Sequence, residues 1–448
     1  MNDSILKQLR SDAKKIFQAS LDAVDPYKAV KGFLRIDNDT LILGDISPVK
    51  LDLSAYNRIL IVGGGKATAP MARAAEEVLG TRISKGIINV KYGFGEKLET
   101  TEVNEAGHPL PDHNSVEGTA KILALLEDAG EKDFVISLVS GGGSALLTRP
   151  ADGISLADKQ EITSQLLECG ASIDEINIVR KHISASKGGQ MAKIAYPATT
   201  VNFMLSDVVG DRKDIIASGP FVPDTSTFRD AQKIIDKYAL SNVPDTIKEY
   251  LKAGMAGKVP ETPKEGDQIF THVFNYIVGS NILALIAAEK KARSLGYKTT
   301  ILSSMVEGET REVAHVHSAI AKEIVKTGRP VSPPACVISG GETTVTIHGD
   351  GLGGRNQEFC LASALDIRNS PPRMIVMSGG TDGNDGPTDA AGAIIDPLTV
   401  HRGEDAGMDA SDFLKRNDSY NYFKKTGELL ITGPTKTNVM DIRLILVK

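Results

Sequence analysis

Short apolar runs rich in β-branched residues alternate along this chain with longer segments whose apolar positions recur at helical spacing. Residues 1–30, with the stretch ILKQLRSDAKKIFQASLDAV, predict an amphipathic helix. Leu60–Val62 reads as a buried strand, followed by a glycine triplet and a helix through Ala69–Leu79. Lys85–Val90 is the next strand, and Asp112 or Asn114 can cap a helix that runs to about Asp128. Phe134–Val139 and Thr199–Leu205 are further strands, the second leading into the acidic loop SDVVGDRKD. Later, Tyr276–Val278, the helix Ile282–Ser294 and Thr299–Ser303 predict one β-α-β unit. Ala335–Ser339, Thr343–His348, Met374–Met377 and Leu444–Val447 supply more strands.

This alternation predicts an α/β fold in two domains, the first a Rossmann-like α/β/α layer with a largely parallel sheet and helices on both faces. Ala253–Gln268 is rich in Gly, Pro and charge and reads as the linker. The expected domains are therefore residues 1–255 and 270–448, both α/β, with the ligand site in the cleft between them at strand C-termini.

At 448 residues, with a 41% hydrophobic share, the chain can bury a proper core in each domain. Its 51 Lys+Arg against 57 Asp+Glu leave a net charge of -6, which argues against nucleic acid or an anionic membrane as partner. An anionic ligand would need a local site. The charged N-terminus lacks the apolar core of a signal peptide, and no apolar stretch is long enough to span a bilayer. Cys169, Cys336 and Cys360 show no CxxC spacing and read as structural thiols. A cytoplasmic protein, monomer or homodimer, is the expectation.

That local site is announced by four apolar runs, each ending in a glycine cluster with polar residues: Ile59–Lys66, Phe134–Ser144, Cys336–Glu342 and Met374–Gly386. Glycine lets bare backbone N–H groups approach an anion closely. The first turn, Gly63-Gly64-Gly65-Lys66-Ala67-Thr68, is not a P-loop, because Leu60 stands where the first glycine belongs and Ala67 replaces the metal-binding hydroxyl. It leaves a lysine on a nest of backbone donors. Ser140–Ser144 (SGGGS) is not a nucleophile elbow, since Leu146 takes the place of the last glycine, and it reads as an anion cradle. Gly349–Gly354 matches GxGxxG, but the following strand ends in Ser378-Gly379-Gly380 without the acid a dinucleotide fold requires. Arg355 follows at once and could clamp a phosphoryl group. Asp207, Asp211, Glu342, Asp382, Asp385 and Asp389 recur in loops after strands, and Mg²⁺ needs only one or two such carboxylates beside substrate phosphates. His315 and His317, two apart, do not make a zinc site.

Taken together, GGGKAT (63–68), GHPLPD (107–112), VSGGGSALL (139–147), VRKHIS (179–184), LSDVVGDRKDIIASGPFVPDTST (205–227), SGGETTVTIHGDGLGGRNQE (339–358), GGTDGNDGPTDAAGA (379–393) and TGPTKTNVMD (432–441) resemble the glycerate 2-kinases, the class II glycerate kinases that carry a MOFRL domain. The matching segments run in order through nearly the whole chain. Arg212-Lys213-Asp214 and His113 stand where the family carries other residues. The resemblance implies ATP-dependent phosphorylation of D-glycerate at its 2-hydroxyl with Mg²⁺ or another divalent metal, and a C-terminal MOFRL-type domain.

On that reading, Lys66 and Arg355 neutralise the transferring γ-phosphoryl group. Gly64 and Gly65, with Ser140, Gly141, Gly142, Gly143 and Ser144, hold phosphate oxygens. Asp207, with Glu342 or Asp382, carries the metal, and an aspartate, Asp207 foremost, accepts the hydroxyl proton. Arg180, Lys187 or Arg355 receives the glycerate carboxylate. Some family members have been labelled hydroxypyruvate reductases, so an NAD(P)-dependent reductase is the alternative.

Overall fold

The computed structural model describes residues 2–44 and 48–448. They divide into a central unit, Pro26–Val278, and a terminal unit formed by Met1–Asp25 with Gly279–Lys448. In the central unit, β1 (Leu34–Asp37), β2 (Thr40–Leu43) and β3 (Val49–Asp52) form a small antiparallel sheet. The main sheet comprises β4 (Arg58–Gly64), β5 (Ile83–Lys91), β6 (Thr101–Ala106), β7 (Asp133–Val139), β8 (Thr199–Leu205) and β9 (Val273–Gly279), in the order β6-β5-β4-β7-β8-β9. The pairs β6/β5, β5/β4, β4/β7 and β7/β8 are parallel. Every residue of β7 is buried, as a parallel strand covered on both faces requires.

Register sets where the site forms. Gly64 lies opposite Val139, and Val139 opposite Met204, so β4, β7 and β8 end at one level. The loops that follow them leave the same edge of the sheet side by side, where open α/β sheets gather ligands.

The terminal unit holds a mixed sheet of β10 (Lys298–Val306), β11 (Ala335–Gly341), β12 (Met374–Gly380), β13 (Gly392–Ile395), β14 (Leu429–Leu430) and β15 (Asp441–Val447), in the order β10-β11-β15-β12-β13-β14. β15 runs antiparallel between β11 and β12, which places its first residue, Asp441, opposite Gly341 on one side and Gly380 on the other. Phe359, Val376, Tyr422 and Ile445 belong to the core beneath.

The two-domain α/β architecture agrees with the sequence, but its division does not fall at 1–255 and 270–448. The N-terminal helix, Asn2–Ala23, joins the terminal unit: it buries Leu6, Leu9, Ala13, Ile16 and Phe17 and packs along the helix Asn281–Ser294. Arg10 anchors it to Asp396 at 2.6 Å and Glu428 at 2.7 Å. The single helix expected over 1–30 is two, Asn2–Ala23 and Pro26–Phe33, since proline favours a helix start.

Residues 253–268 are no linker but part of the central unit, where Thr262 donates to buried Asp224 at 2.9 Å and Val259 packs on the cluster of Phe228, Ile247 and Leu251. β9 and β10 lie in different sheets, so they do not form the expected β-α-β unit. Thr343–His348 is not a strand: Thr346 N–H goes to the Glu309 carboxylate (3.2 Å), and the His348 and Gly349 N–H groups go to the Asn417 side chain (2.8 and 3.1 Å). Side chains take the donors that a ladder would have used. Among the described residues no helix is long and apolar enough to cross a membrane.

Candidate active site

The edge formed by β4, β7 and β8 brings Lys66, the Ser140–Ser144 turn and Asp207 together. Gly142 sits in the left-handed region at φ 86°, and a Cβ there would stand 2.9 Å from His108 Cδ2 and 3.3 Å from Lys66 Cγ. Imidazole and lysine therefore both lie across this glycine. Asp207 packs so closely on Gly141 that a Cβ there would overlap Oδ2. The N–H groups of Gly141 and Gly142 make no hydrogen bond among the described residues. Burial raises the Asp207 carboxyl above the ordinary aspartate range, with the Lys66 charge pulling the other way. Burial first, then the charges of Lys66 and Lys91, lower His108 to about 4, leaving a neutral imidazole at neutral pH.

The first glycine turn differs from the expected nest. Gly65 N–H donates to Asn89 O (3.1 Å), Lys66 N–H to Gly141 O (2.9 Å) and Ala67 N–H to Ser140 Oγ (3.0 Å). Ser140 N–H in turn donates to Gly64 O at 3.3 Å. Gly64, Gly65 and Ser140 thus lock two strand ends together, and a Cβ at Gly63 or Gly65 would collide with β7 or its loop. Gly143 N–H closes on Ser140 O (3.1 Å), so the open donors that adjoin Asp207 and Lys66 are those of Gly141 and Gly142. Ser144 Oγ meets Ser218 Oγ at 2.9 Å, and Ser218 donates onward to Asn177 at 2.9 Å. Ala217 and Ser218 hold left-handed backbone, φ 51° and 61°, a strained pair that delivers this hydroxyl.

Behind the turn, Arg180 and Lys187 fall together as substrate-binding candidates, and Lys159 joins them. Lys159 and Arg180, from the helices Leu156–Glu168 and Ile173–His182, line a cavity of about 360 Å³ that also touches His108, Gly142 and Ser144. Lys187 is fully buried beside them and donates to Ser144 O at 2.7 Å. Burial, then the neighbouring cations Lys159 and Arg180, push Lys187 well below the ordinary lysine value. Burial, then Arg180, lowers Lys159 to about 7.

In the terminal unit Arg355 opens the helix Arg355–Ile367 and grips Asp441 through Nε (2.6 Å) and Nη2 (3.0 Å), while Nη1 meets Glu342 at 2.7 Å. Burial opposes its charge, but Asp441 and Glu342 outweigh that and hold it above the usual arginine value. Asp385 caps the same helix from another loop, accepting from the N–H groups of Asn356 (3.0 Å) and Gln357 (2.8 Å), and burial raises it to about 6. Asp382 turns back on its own loop, accepting from Asn384 N–H at 3.1 Å. Arg355 and Glu342 wall a second cavity, of about 520 Å³. The GxGxxG run does not follow a strand directly, and one side of it packs on the segment Arg416–Asp418: a Cβ on Gly351 would stand 2.5 Å from both Arg416 O and Asp418 Cβ, while Gly351, Gly353 and Gly354 also line this second cavity.

Among the described residues no group of three or more metal-ligating side chains occurs. Asp207 lies in the central unit, Glu342 and Asp382 in the terminal one. Sequence reasoning did not single out His108, Lys159, Ser218 or Asp441. His108, Ser218 and Asp441 lie inside motifs already quoted, whereas nothing around Lys159 marks it.

Residues 12–252 match the model of a domain of unknown function, DUF4147, and residues 335–441 match the MOFRL family. The D-glycerate 2-kinase of Thermotoga maritima is 42% identical over 97% of this chain and 98% of its own. A glycerate 2-kinase of Pyrococcus horikoshii is 40% identical over 99% and 98%. A relative from Agrobacterium vitis, 39% identical over 98% and 94%, carries the provisional name of a hydroxypyruvate reductase. The crystal structure of a Thermotoga maritima glycerate kinase matches with a TM-score of 0.88 at 40% identity, covering 99% of this chain and 100% of that one. Identity at this level over full length, with both family models in place, makes this chain a member of the glycerate 2-kinase family of MOFRL-domain kinases.

Proposed function

We propose that this chain transfers the γ-phosphoryl group of ATP to the 2-hydroxyl of D-glycerate, giving 2-phospho-D-glycerate and ADP, with Mg²⁺ or another divalent cation. The observation that carries this is the meeting of Lys66, Asp207 and the unpartnered amides of Gly141 and Gly142 at one sheet edge. Phosphoryl transfer asks a protein chiefly for positioning and charge neutralisation. Lys66 supplies the cation, and the two N–H groups bind phosphate oxygens. Asp207 receives the hydroxyl proton on one carboxylate oxygen, its raised pKa moving it toward the range where a base works. Arg355, held in orientation by Asp441, supplies the second cation.

A hard cation beside substrate phosphates needs as few as one protein carboxylate, and Asp207 offers one at this sheet edge. Asp207 takes no hydrogen bond from another side chain among the described residues; the other candidates, Glu342 and Asp382, belong to the terminal unit, where Glu342 meets Arg355 at 2.7 Å. Mg²⁺ on such oxygens would offset phosphate charge, the nucleotide supplying the remaining ligands.

The test is incubation with ATP, Mg²⁺ and D-glycerate, with enolase added. Direct conversion of the product to phosphoenolpyruvate supports the 2-kinase. A product that needs a mutase first overturns the regiochemistry, and oxidation of NADH by hydroxypyruvate without ADP release from glycerate would establish the reductase instead.

A further inference from the structure

Lys159, Arg180 and Lys187 are three basic side chains in one buried neighbourhood, and no acidic side chain forms an ion pair with any of them among the described residues. None of the residues that line the 360 Å³ cavity is acidic. Lys159 is 4% exposed, lines that cavity, and its Nζ has no hydrogen-bond partner. A buried ammonium without a partner is costly, and natural interiors avoid one unless a ligand completes it. The rest of the wall is suited to a small polar molecule. Gln160 ties the helix Leu156–Glu168 to the adjoining loop by donating to Pro111 O at 2.7 Å, and Leu110 and Leu167 form the apolar rim.

Arg355 is poorly placed for a substrate carboxylate because it already faces Asp441 and Glu342. Resting on the glycerate kinase reading above, we propose that Lys159, with Arg180 and with Lys187 behind them, seats the carboxylate of the phosphoryl acceptor. The wall of the same cavity at Gly142 and His108 adjoins Lys66, and the neighbouring Gly141 adjoins Asp207, so an acceptor seated there would have its hydroxyl on the side of these two residues. The ligand chemistry is a compact anion, and a carboxylate and a nucleotide phosphate share it. The size of the cavity, at the small end for ligand sites, favours the three-carbon acid.

The experiment uses the full chain and Lys159→Met, which keeps length and removes the charge. Thermal unfolding is followed alone, with D-glycerate and with ATP, beside the kinetics of both substrates. The expected result is a higher melting temperature for the ligand-free variant, loss of the D-glycerate-induced shift, and an unchanged ATP-induced shift. KM for D-glycerate should rise by at least about tenfold while KM for ATP stays within about twofold. A variant that keeps the D-glycerate shift, or that loses the ATP shift instead, overturns the proposal. The kinase reading fails separately, on the parent alone, if ATP and D-glycerate release no ADP.

Discussion

The Asp207 carboxylate rests on the Cα of Gly141, filling the space where any other residue would carry its Cβ. Glycine at 141 is therefore part of the acid's position, and its backbone does not need the left-handed region that Gly142 occupies. Gly141→Ala should still fold, at a cost of about 1–3 kcal/mol for the overlap, and move Asp207 off its seat. We expect kcat to fall by about 10²-fold, in line with misplacement of a reacting group, and circular dichroism with a thermal melt will show whether the fold is kept. Near-normal turnover in the folded variant would separate Asp207 from the chemistry.

Arg355→Ala carries a structural cost that bears on how its kinetics are read. Asp441 is fully buried between Gly341 and Gly380, and Arg355 gives it two hydrogen bonds, with Asn356 at 2.9 Å and Arg443 at 3.4 Å as its remaining partners. Breaking a buried ion pair from one side costs about 3–5 kcal/mol, and the partners that stay with Asp441 favour the low end. Urea denaturation should show that loss for Arg355→Ala and a smaller one for Arg355→Lys, which keeps the charge but not the fork. If Arg355→Lys is well folded yet loses turnover by about 10²-fold or more, on the order expected for a transition-state clamp, the arginine acts on the reaction and not only on Asp441.

What the sequence made legible follows from local pattern. Lys66 and Asp207 could be named because each sits just past a buried parallel strand, and parallel strands aligned in register must deliver their following loops to one edge. The glycines around Lys66 were harder to read. A glycine that exposes an amide and one that lets two loops touch look identical in sequence, and Gly65 is of the second kind. Lys159 is illegible for a related reason: LADKQEITSQLLE has the polarity of an ordinary surface helix, and the lysine is buried by tertiary neighbours, Arg180 and Lys187 among them. Amphipathicity tells that the N-terminal helix covers a sheet but not which one, so its place in the terminal unit is not legible from its own residues. β1 to β3 escaped because four-residue strands hold too few alternations.

Lys159 also makes stability depend on pH. Burial first and the Arg180 charge second hold it at about 7 against an ordinary 10.5. Between those values the unfolded chain keeps a proton that the folded chain has lost, so stability increases as pH rises through that window, by at most about 1.4 kcal/mol per pH unit. Below the window both states are protonated and the whole penalty is present. Lys159→Met removes the group, so its stability advantage over the parent should be largest near pH 7 and should shrink as pH climbs toward 10.5. Lys187 is depressed in the same direction, by burial first and by the Lys159 charge next, so Lys159→Met also relieves Lys187 in part, and the slope difference reports the coupled pair. Denaturant titrations at several alkaline pH values give the two slopes, and parallel slopes would mean that Lys159 is not held near 7.

Asp207→Asn separates the two demands on that position. Burial raises the Asp207 carboxyl, so the charged form is disfavoured in the folded chain and stability declines as pH rises past its ordinary titration range. An amide of the same shape carries no such penalty. The variant should therefore melt at a higher temperature than the parent at neutral pH and lose that advantage in acid, where the parent's carboxyl is protonated in both states. Its turnover should fall by about 10²–10⁴-fold, the usual worth of a general base, because an amide neither accepts the hydroxyl proton nor binds a hard cation well. Thermal melts from acidic to neutral pH, set beside ADP release with ATP and D-glycerate, measure both. A variant that is both stabilised and inactive is what a carboxylate kept for chemistry predicts. One that is destabilised would make Asp207 a structural support of the Gly141 turn, and its inactivity would then say nothing about proton transfer.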